Sequence, residues 1–401
     1  MSSVCIKKLL LGLFFLFVLF SSQSKTIKKE NYISRYGSIS NTYYHLKNDK
    51  ALTVAFLGGS ITHMNGWRDL VCADLQSHFP DVKFRFINAG IPSLGSLPDV
   101  FRFKKNVLDK GNIDLLFVES AVNDQVNDTP DRIQRRALEG IIRQAISANQ
   151  FMDIVLMAFV DPDKIADYRA GKVPAEVKVH QEIAKMYHLP FINLAKEVTD
   201  RIDRGEFTWE KDFLDLHPSM FGQKLYANTI TTLFSDDFVK PRQLKAKKLV
   251  PPMDNLNYAY ARYLNISNVD KLDKFNFINN WTPKDSVATR EGFVHLPVLE
   301  SFESGASFHL NFKGNVIGIS VLSGPDSGTL EYSVDGKTYL PVDLYTQWSN
   351  TLYLPWFVVL ADDLNSGQHE LTVRASAKRN KKSTGNAIRI ISFMENYLGT
   401  K

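Results

Sequence analysis

Two hydrophobic rhythms divide the chain. In the first part, short apolar runs alternate with stretches whose apolar residues recur at helical spacing. Residues 52–57, Leu-Thr-Val-Ala-Phe-Leu, end at Gly58-Gly59 and predict a buried strand. Residues 67–79 carry Trp67, Leu70, Val71, Leu75 and Phe79 on one helical face. Residues 82–88 alternate like a strand, and 113–118 and 153–160 read as further buried strands. Thr129-Pro130 opens a helix running to about Asn149, with Ile133, Ala137, Ile141, Ala145 and Ala148 along one side. Another helix is predicted over 174–187, carrying His180 and His188, and 190–194 makes a last short strand. Strands alternating with helices imply a parallel sheet covered on both faces.

The second rhythm begins after about residue 237. Residues 238–256 are basic and contain prolines, which predicts a linker. Beyond it the pattern is of strands: 307–312, 315–322, 328–334, 352–360, 368–374 and 387–393. Asp335-Gly336 between two of them is a hairpin signal. Short strands with glycine-rich turns predict an all-β sandwich over 257–401. Tyr345, Trp348, Tyr353, Trp356 and Phe357 crowd together there. Such rings either fill a sandwich core or stack on sugars. The turn Gly324-Pro325-Asp326-Ser327-Gly328 is a candidate to reach a cleft in the first part.

The N-terminus adds a targeting expectation. Lys7 and Lys8 precede an apolar stretch from Leu9 to Phe20, and small polar residues follow. This is the pattern of a signal peptide over 1–24, too short for a comfortable membrane span. The expectation is an exported protein, periplasmic or secreted, with no stable membrane span once the signal is removed. Only Cys72 then remains, so no internal disulfide forms and the fold rests on its core. No Cys/His cluster has zinc spacing, and no cofactor is implied. The net charge of +5 is scattered over the chain, which argues against nucleic acid as a partner.

Four blocks carry candidate chemistry. Gly58-Gly59-Ser60 follows a buried strand, where a serine stands exposed at a sheet edge. Asp215-Leu216-His217 offers a base for that serine, with Asp215 or Asp212 to orient the imidazole. Asn123, in Glu119-Ser120-Ala121-Val122-Asn123-Asp124, presents a side-chain amide at the same edge. The loop 88–96 contains Gly90 and Gly95, either of which can offer a backbone N–H. Fixed N–H donors stabilise the oxygen that becomes negative when an ester carbonyl is attacked. Thr62, His63, Asn65 and Trp67 are placed to line a cleft, and Glu119 to fix the Ser60 loop.

Over about residues 50–235 this order of blocks resembles the SGNH (GDSL-type) hydrolase family. The resemblance implies a flavodoxin-like three-layer α/β/α domain over 25–237. It implies Ser60 as nucleophile and His217 as base. Ser60 N–H, a glycine N–H and Asn123 would form the oxyanion hole, with Gly95 preferred to Gly90. Three positions depart from the family pattern. Gly59 stands where Asp is usual, Ser120 where Gly is usual, and Leu214 three residues before His217 where Asp is usual. Asp215 is the preferred third member, with Asp212 or a bare Ser–His dyad open. The resulting expectation is an exported esterase removing acetyl or another small acyl group from a carbohydrate. Its partner would be a small-molecule or polysaccharide ester. The rivals are an acyltransferase using the same acyl-enzyme and a non-catalytic carbohydrate-binding protein on a hydrolase scaffold.

Overall fold

The computed structural model describes residues 31–237 and 243–397. The expected signal segment lies outside the described residues. Six strands form the first sheet: β1 Ile33–Arg35, β2 Ala51–Gly58, β3 Lys83–Gly90, β4 Leu115–Glu119, β5 Asp153–Ala158 and β6 Pro190–Asn193. Their order across the sheet is β1-β6-β5-β4-β2-β3. β1 runs antiparallel to β6, and every other pairing is parallel. Without that edge strand, the order is the flavodoxin-like one. Its reversal point falls between β2 and β4, and ligands bind in such folds at the carboxyl ends there. Register brings Gly58 level with Gly90 on one side and Glu119 on the other. The loops that follow these three strands therefore start from one line.

β4 and β5 are buried at every residue, because helices cover both faces of the sheet. This is why they read as unbroken apolar runs. Phe56 stacks on Phe117 across neighbouring strands at 5.3 Å, and Trp67 meets Phe56, Phe117 and Phe159 edge-on. Trp67 is fully buried and its Nε1–H donates to Ile61 O. It is thus core and not cleft lining. The helices Trp67–His78, Asp131–Ala148 and Ala175–Met186 match the predicted ones closely. His188 differs: it lies beyond its helix, exposed, at a left-handed φ of 52°. The helix Ser96–Asn106 was not legible, because it buries Asp99 and Arg102 among its apolar residues.

The second half has two sheets around one apolar interior. The larger contains Asn276–Trp281, Ala288–Thr289, Leu296–Ser301, Ile317–Ser323, Leu352–Ala361 and Ile388–Asn396, with Ala261–Leu264 paired to the last. The smaller contains Val269–Asp273, Ser307–Gly314, Thr329–Val334, Leu340–Asp343 and Gly367–Ala375. Pairing is antiparallel except between Ala288–Thr289 and Leu352–Tyr353. Phe308, Leu310, Ile319, Val321, Leu371 and Ile390 fill the space between the sheets. At the predicted hairpin, Asp335 and Gly336 both have positive φ, 55° and 69°, as a type I′ turn requires. The strand Val269–Asp273 escaped prediction because its surface is almost wholly polar and exposed.

The segment read as a linker is fastened to the first half where it is described. Asn41 bonds the backbone of Lys245 in both directions. Lys247 Nζ lies 2.7 Å from the buried Asp153 carboxylate, and Arg136 pairs with Asp254 at 2.5 Å. Tyr258, Ala261, Val316 and Met394 then enter the apolar interior of the parallel-sheet half. Arg136 also reaches Asp362 and Asp363 of the β half. The two halves are therefore joined through packed side chains.

Candidate active site

Ser60 follows β2 at the start of a single helical turn, Ser60–His63. Its Oγ lies 2.8 Å from His217 Nε2, although 157 residues separate them. That distance suits proton transfer from hydroxyl to imidazole. Ser60 is partly exposed and faces the reversal point of the sheet.

Gly59 explains the first departure from the family pattern. A Cβ on Gly59 would sit 1.8 Å from Asn123 Nδ2 and 3.3 Å from Leu94 O. The Asn123 amide occupies the space that any side chain at 59 would need. Asn123 itself is 8% exposed, on the short helix Ala121–Val126 after β4. Its amide thus lies pressed against the backbone that carries the nucleophile. Ser120 explains the second departure. Its φ of −135° is open to any residue. Its N–H donates to His180 Nε2 at 3.3 Å and its hydroxyl to Asp99 Oδ2 at 3.2 Å.

The two candidate glycines behave differently. Gly90 N–H donates to Asn88 Oδ1 at 2.9 Å, so that donor is already engaged. Gly95 precedes the helix Ser96–Asn106 and backs onto Asp124, where a Cβ would meet Oδ1 at 2.4 Å. This favours Gly95 over Gly90 as the oxyanion donor. Asp124 Oδ1 accepts from both the N–H and the hydroxyl of Ser96, at 2.8 and 3.0 Å. Complete burial pushes the Asp124 carboxyl well above the usual carboxylate range. The sequence assigns Asp124 no role of its own. It is instead the support on which the Gly95 loop stands.

Beneath these loops lies a buried polar layer. Asp99 pairs with Arg102 at 2.7 Å, and Arg102 Nη2 donates to Gly58 O at 3.2 Å. Burial raises the Asp99 carboxyl to about 6 against the pull of Arg102. Glu119 Oε1 accepts from Val122 N–H and Phe159 N–H, both at 3.3 Å. Burial raises this carboxyl to about 7. Glu119 thus braces the ends of β4 and β5, one step from the Ser60 loop. His180 is fully buried, with Nδ1–H donating to Glu176 O at 2.8 Å, and burial lowers its pKa to about 4. It is a neutral structural histidine.

The acid side of the site is loose by comparison. Asp215 Oδ1 is 3.7 Å from His217 Nδ1, beyond hydrogen-bond range, and it accepts from His217 N–H instead. The Asp215 side chain is 68% exposed and that of His217 is 48% exposed. Asp212 is turned away: its Oδ2 accepts from Thr208 N–H and Oγ1 at 2.7 and 3.1 Å. It caps the turn Trp209–Phe213 and does not reach the imidazole. Leu214 stands at φ 81°, ψ −66°, a classic γ-turn, which is strained for a residue with a Cβ. That turn shortens the loop and swings Asp215 alongside His217.

Of the remaining predicted cleft residues, Thr62 is buried, Asn65 is exposed, and His63 faces the seam between the halves. His63 Nδ1–H donates to Gly90 O at 3.1 Å, and its Nε2 lies 3.5 Å from Glu291 of the β half. The turn 324–328 does not reach the site. Asp326 takes a two-pronged bond from Arg389, and Gly324 packs on the Tyr353 ring. The aromatic cluster splits: Tyr353 is core, whereas Trp348 and Trp356 pair at 5.7 Å and are partly exposed. Trp356 and Phe357 line a cleft of about 460 Å³ whose opposite wall includes Ser93, Leu94 and Asn127.

Residues 56–225 match the GDSL-like Lipase/Acylhydrolase family. No curated protein sequence matches the chain. Among solved structures, the chain is similar to a two-domain esterase (CEX) active on acetylated mannans, co-crystallised with mannopentaose. Identity is 22% and the TM-score 0.76, over 93% of this chain and 99% of that one. A second structure of that esterase gives 21% identity and a TM-score of 0.77, over 93% and 100%. The likeness therefore extends through both halves of the fold. Over residues 56–225 the chain is thus similar to the GDSL-like lipase/acylhydrolase family, and over nearly its whole length it shares the fold of a two-domain esterase.

Proposed function

We propose that this chain is an exported serine esterase that removes acetyl or other small acyl groups from a carbohydrate. The observation that carries the reading is the 2.8 Å approach of Ser60 Oγ to His217 Nε2, beside the Asn123 amide packed against Gly59. His217 Nε2 takes the hydroxyl proton as Ser60 Oγ bonds to the ester carbon. Ser60 N–H, Gly95 N–H and Asn123 Nδ2–H hold the oxyanion. Collapse breaks the bond to the sugar oxygen, which leaves with the proton from His217. Water then attacks the acyl-Ser60 ester, giving its proton to His217. The acid departs and the proton returns to Ser60.

The carbohydrate part is supported by similarity, in both halves, to an esterase active on acetylated mannans. Partly exposed Trp348 and Trp356 near the cleft are consistent with it, since aromatic faces stack on sugars. Export is supported by the charge and hydropathy pattern of residues 7–20.

Acid release from a panel of acetylated polysaccharides, with and without an acceptor sugar, tests the reading. Wild type should release acetate, and Ser60→Ala and His217→Ala should each lose about 10⁴-fold or more in kcat. Transfer of acetyl to the acceptor in preference to water would replace hydrolase with transferase. Wild-type rates equal to Ser60→Ala would sink the enzyme reading.

A further inference from the structure

Two consecutive residues of the β half make polar contacts beside the site. Arg290 follows the strand Ala288–Thr289 and is anchored there, its N–H donating to Tyr353 O at 2.8 Å. Its side chain crosses the seam, and Nη2 donates to Ser93 Oγ at 3.0 Å. Glu291 points to the other flank, 3.5 Å from His63, three residues beyond the nucleophile.

Ser93 is an unusual residue to hold. It lies at a left-handed φ of 72°, a conformation that a serine adopts at some cost. Asn127 Nδ2 secures its carbonyl at 3.0 Å, and Arg290 secures its hydroxyl. The next residue, Leu94, turns its carbonyl toward Gly59, and the one after is Gly95. Any drift of Ser93 is therefore transmitted within two residues to Gly95, the proposed oxyanion donor.

Arg290 is also held in a way that surface arginines are not. Its Nε is buried without an acceptor, and no carboxylate among the described residues pairs with it. Burial alone pushes its guanidinium pKa down. With no salt bridge to fix the head, the Ser93 hydroxyl is the side-chain partner that places it.

We propose that Arg290 is a positioning residue for the ester hydrolysis, supplied by the β half, which fixes the Ser93–Gly95 loop and so sets the oxyanion donor. This rests on the esterase reading above and deepens it. It makes the β half part of the catalytic machinery for every ester, including one with no sugar attached. A β half that only bound polysaccharide would act on KM for polysaccharide and leave small esters untouched.

The test uses the full chain and 4-nitrophenyl acetate, which carries no carbohydrate. Arg290→Ala and Ser93→Ala should each lower kcat about tenfold, with KM nearly unchanged, because the lost contact acts on the transition state. The double variant should be no worse than either single one, as for two residues that act through one contact. Arg290→Lys, which keeps a donor, should recover part of the rate. Circular dichroism and Tm should match wild type for all variants. Unchanged kcat in Arg290→Ala, or strict additivity in the double variant, overturns the proposal while leaving the esterase reading intact. Absence of any Ser60-dependent turnover in wild type overturns both.

Discussion

The two sides of the catalytic pair are built to different standards. On the nucleophile side, Gly59, Asn123 and the Gly95 loop are locked together by contacts too close to admit a Cβ, and Asp124 beneath them is fully buried. On the base side, Leu214, Asp215 and His217 sit on an exposed loop with a strained turn, and the carboxylate stands 3.7 Å from the ring nitrogen, just beyond hydrogen-bond range. Donors that stabilise charge must be in place before the reaction, since rearranging them costs the energy they would supply. A base need only reach one proton. If the proposed roles hold, catalytic power is concentrated on the rigid side, and the loose side tolerates change.

The largest effect that sharpens this contrast is expected at Gly59 and Asn123. Gly59→Ala and Asn123→Ala should each lower kcat about 10²–10³-fold, the range for loss of one oxyanion donor. Combining them should add little, because the alanine at 59 already displaces the amide. If Gly59→Ala keeps wild-type kcat, the close packing has no catalytic meaning.

A smaller effect is expected on the base side. Asp215→Asn should cost about tenfold or less in kcat, since an exposed carboxylate at 3.7 Å interacts weakly with the ring. Asp212→Asn should leave kcat unchanged and lower Tm slightly, through the lost cap at Thr208. A loss of about 10⁴-fold in Asp215→Asn, as when a buried triad carboxylate is replaced, would show that the loop tightens during catalysis and would erase the contrast.

The smallest effect concerns stability and the buried layer. Glu119 has its pKa raised to about 7 in the folded state, against an ordinary value of 4.5. Between those two values the folded chain keeps a proton that the unfolded chain has lost. The Glu119 contribution to stability therefore falls as pH rises through that window. His180, lowered from 6.5 to about 4, acts in the opposite sense, equally in wild type and in a Glu119 variant. Glu119→Gln keeps an oxygen for Val122 and Phe159 and removes the titration. Its Tm should gain on wild type as pH increases from 4.5 to 7. Parallel Tm curves across that range would show that Glu119 stays ionised.

Much of this arrangement was legible in the order of residues. Buried strands announced themselves as apolar runs because a doubly covered sheet leaves no polar face, and so β2, β4 and β5 were placed closely. Their carboxyl ends then gave Ser60, Asn123 and the glycine loop a common location. The signal failed where burial was polar or exposure complete. The helix that buries Asp99 and Arg102 has no clean apolar stripe, and the strand Val269–Asp273 has almost no buried face.

The sequence by itself determined the layered architecture and pointed to Ser60 and His217 as a candidate pair, because strand ends and hydrophobic period are local properties. Only the tertiary structure decided which glycine amide remained available, why Gly59 cannot be Asp, and which way Asp212 turned. Each of these depends on what stands opposite in space: Asn88 against Gly90, Asn123 against Gly59, Thr208 against Asp212. The reach of Arg290 across 197 residues to Ser93 belongs to the same class. A hydrogen bond between distant segments leaves no periodicity in either, so it becomes visible only when the chain has folded.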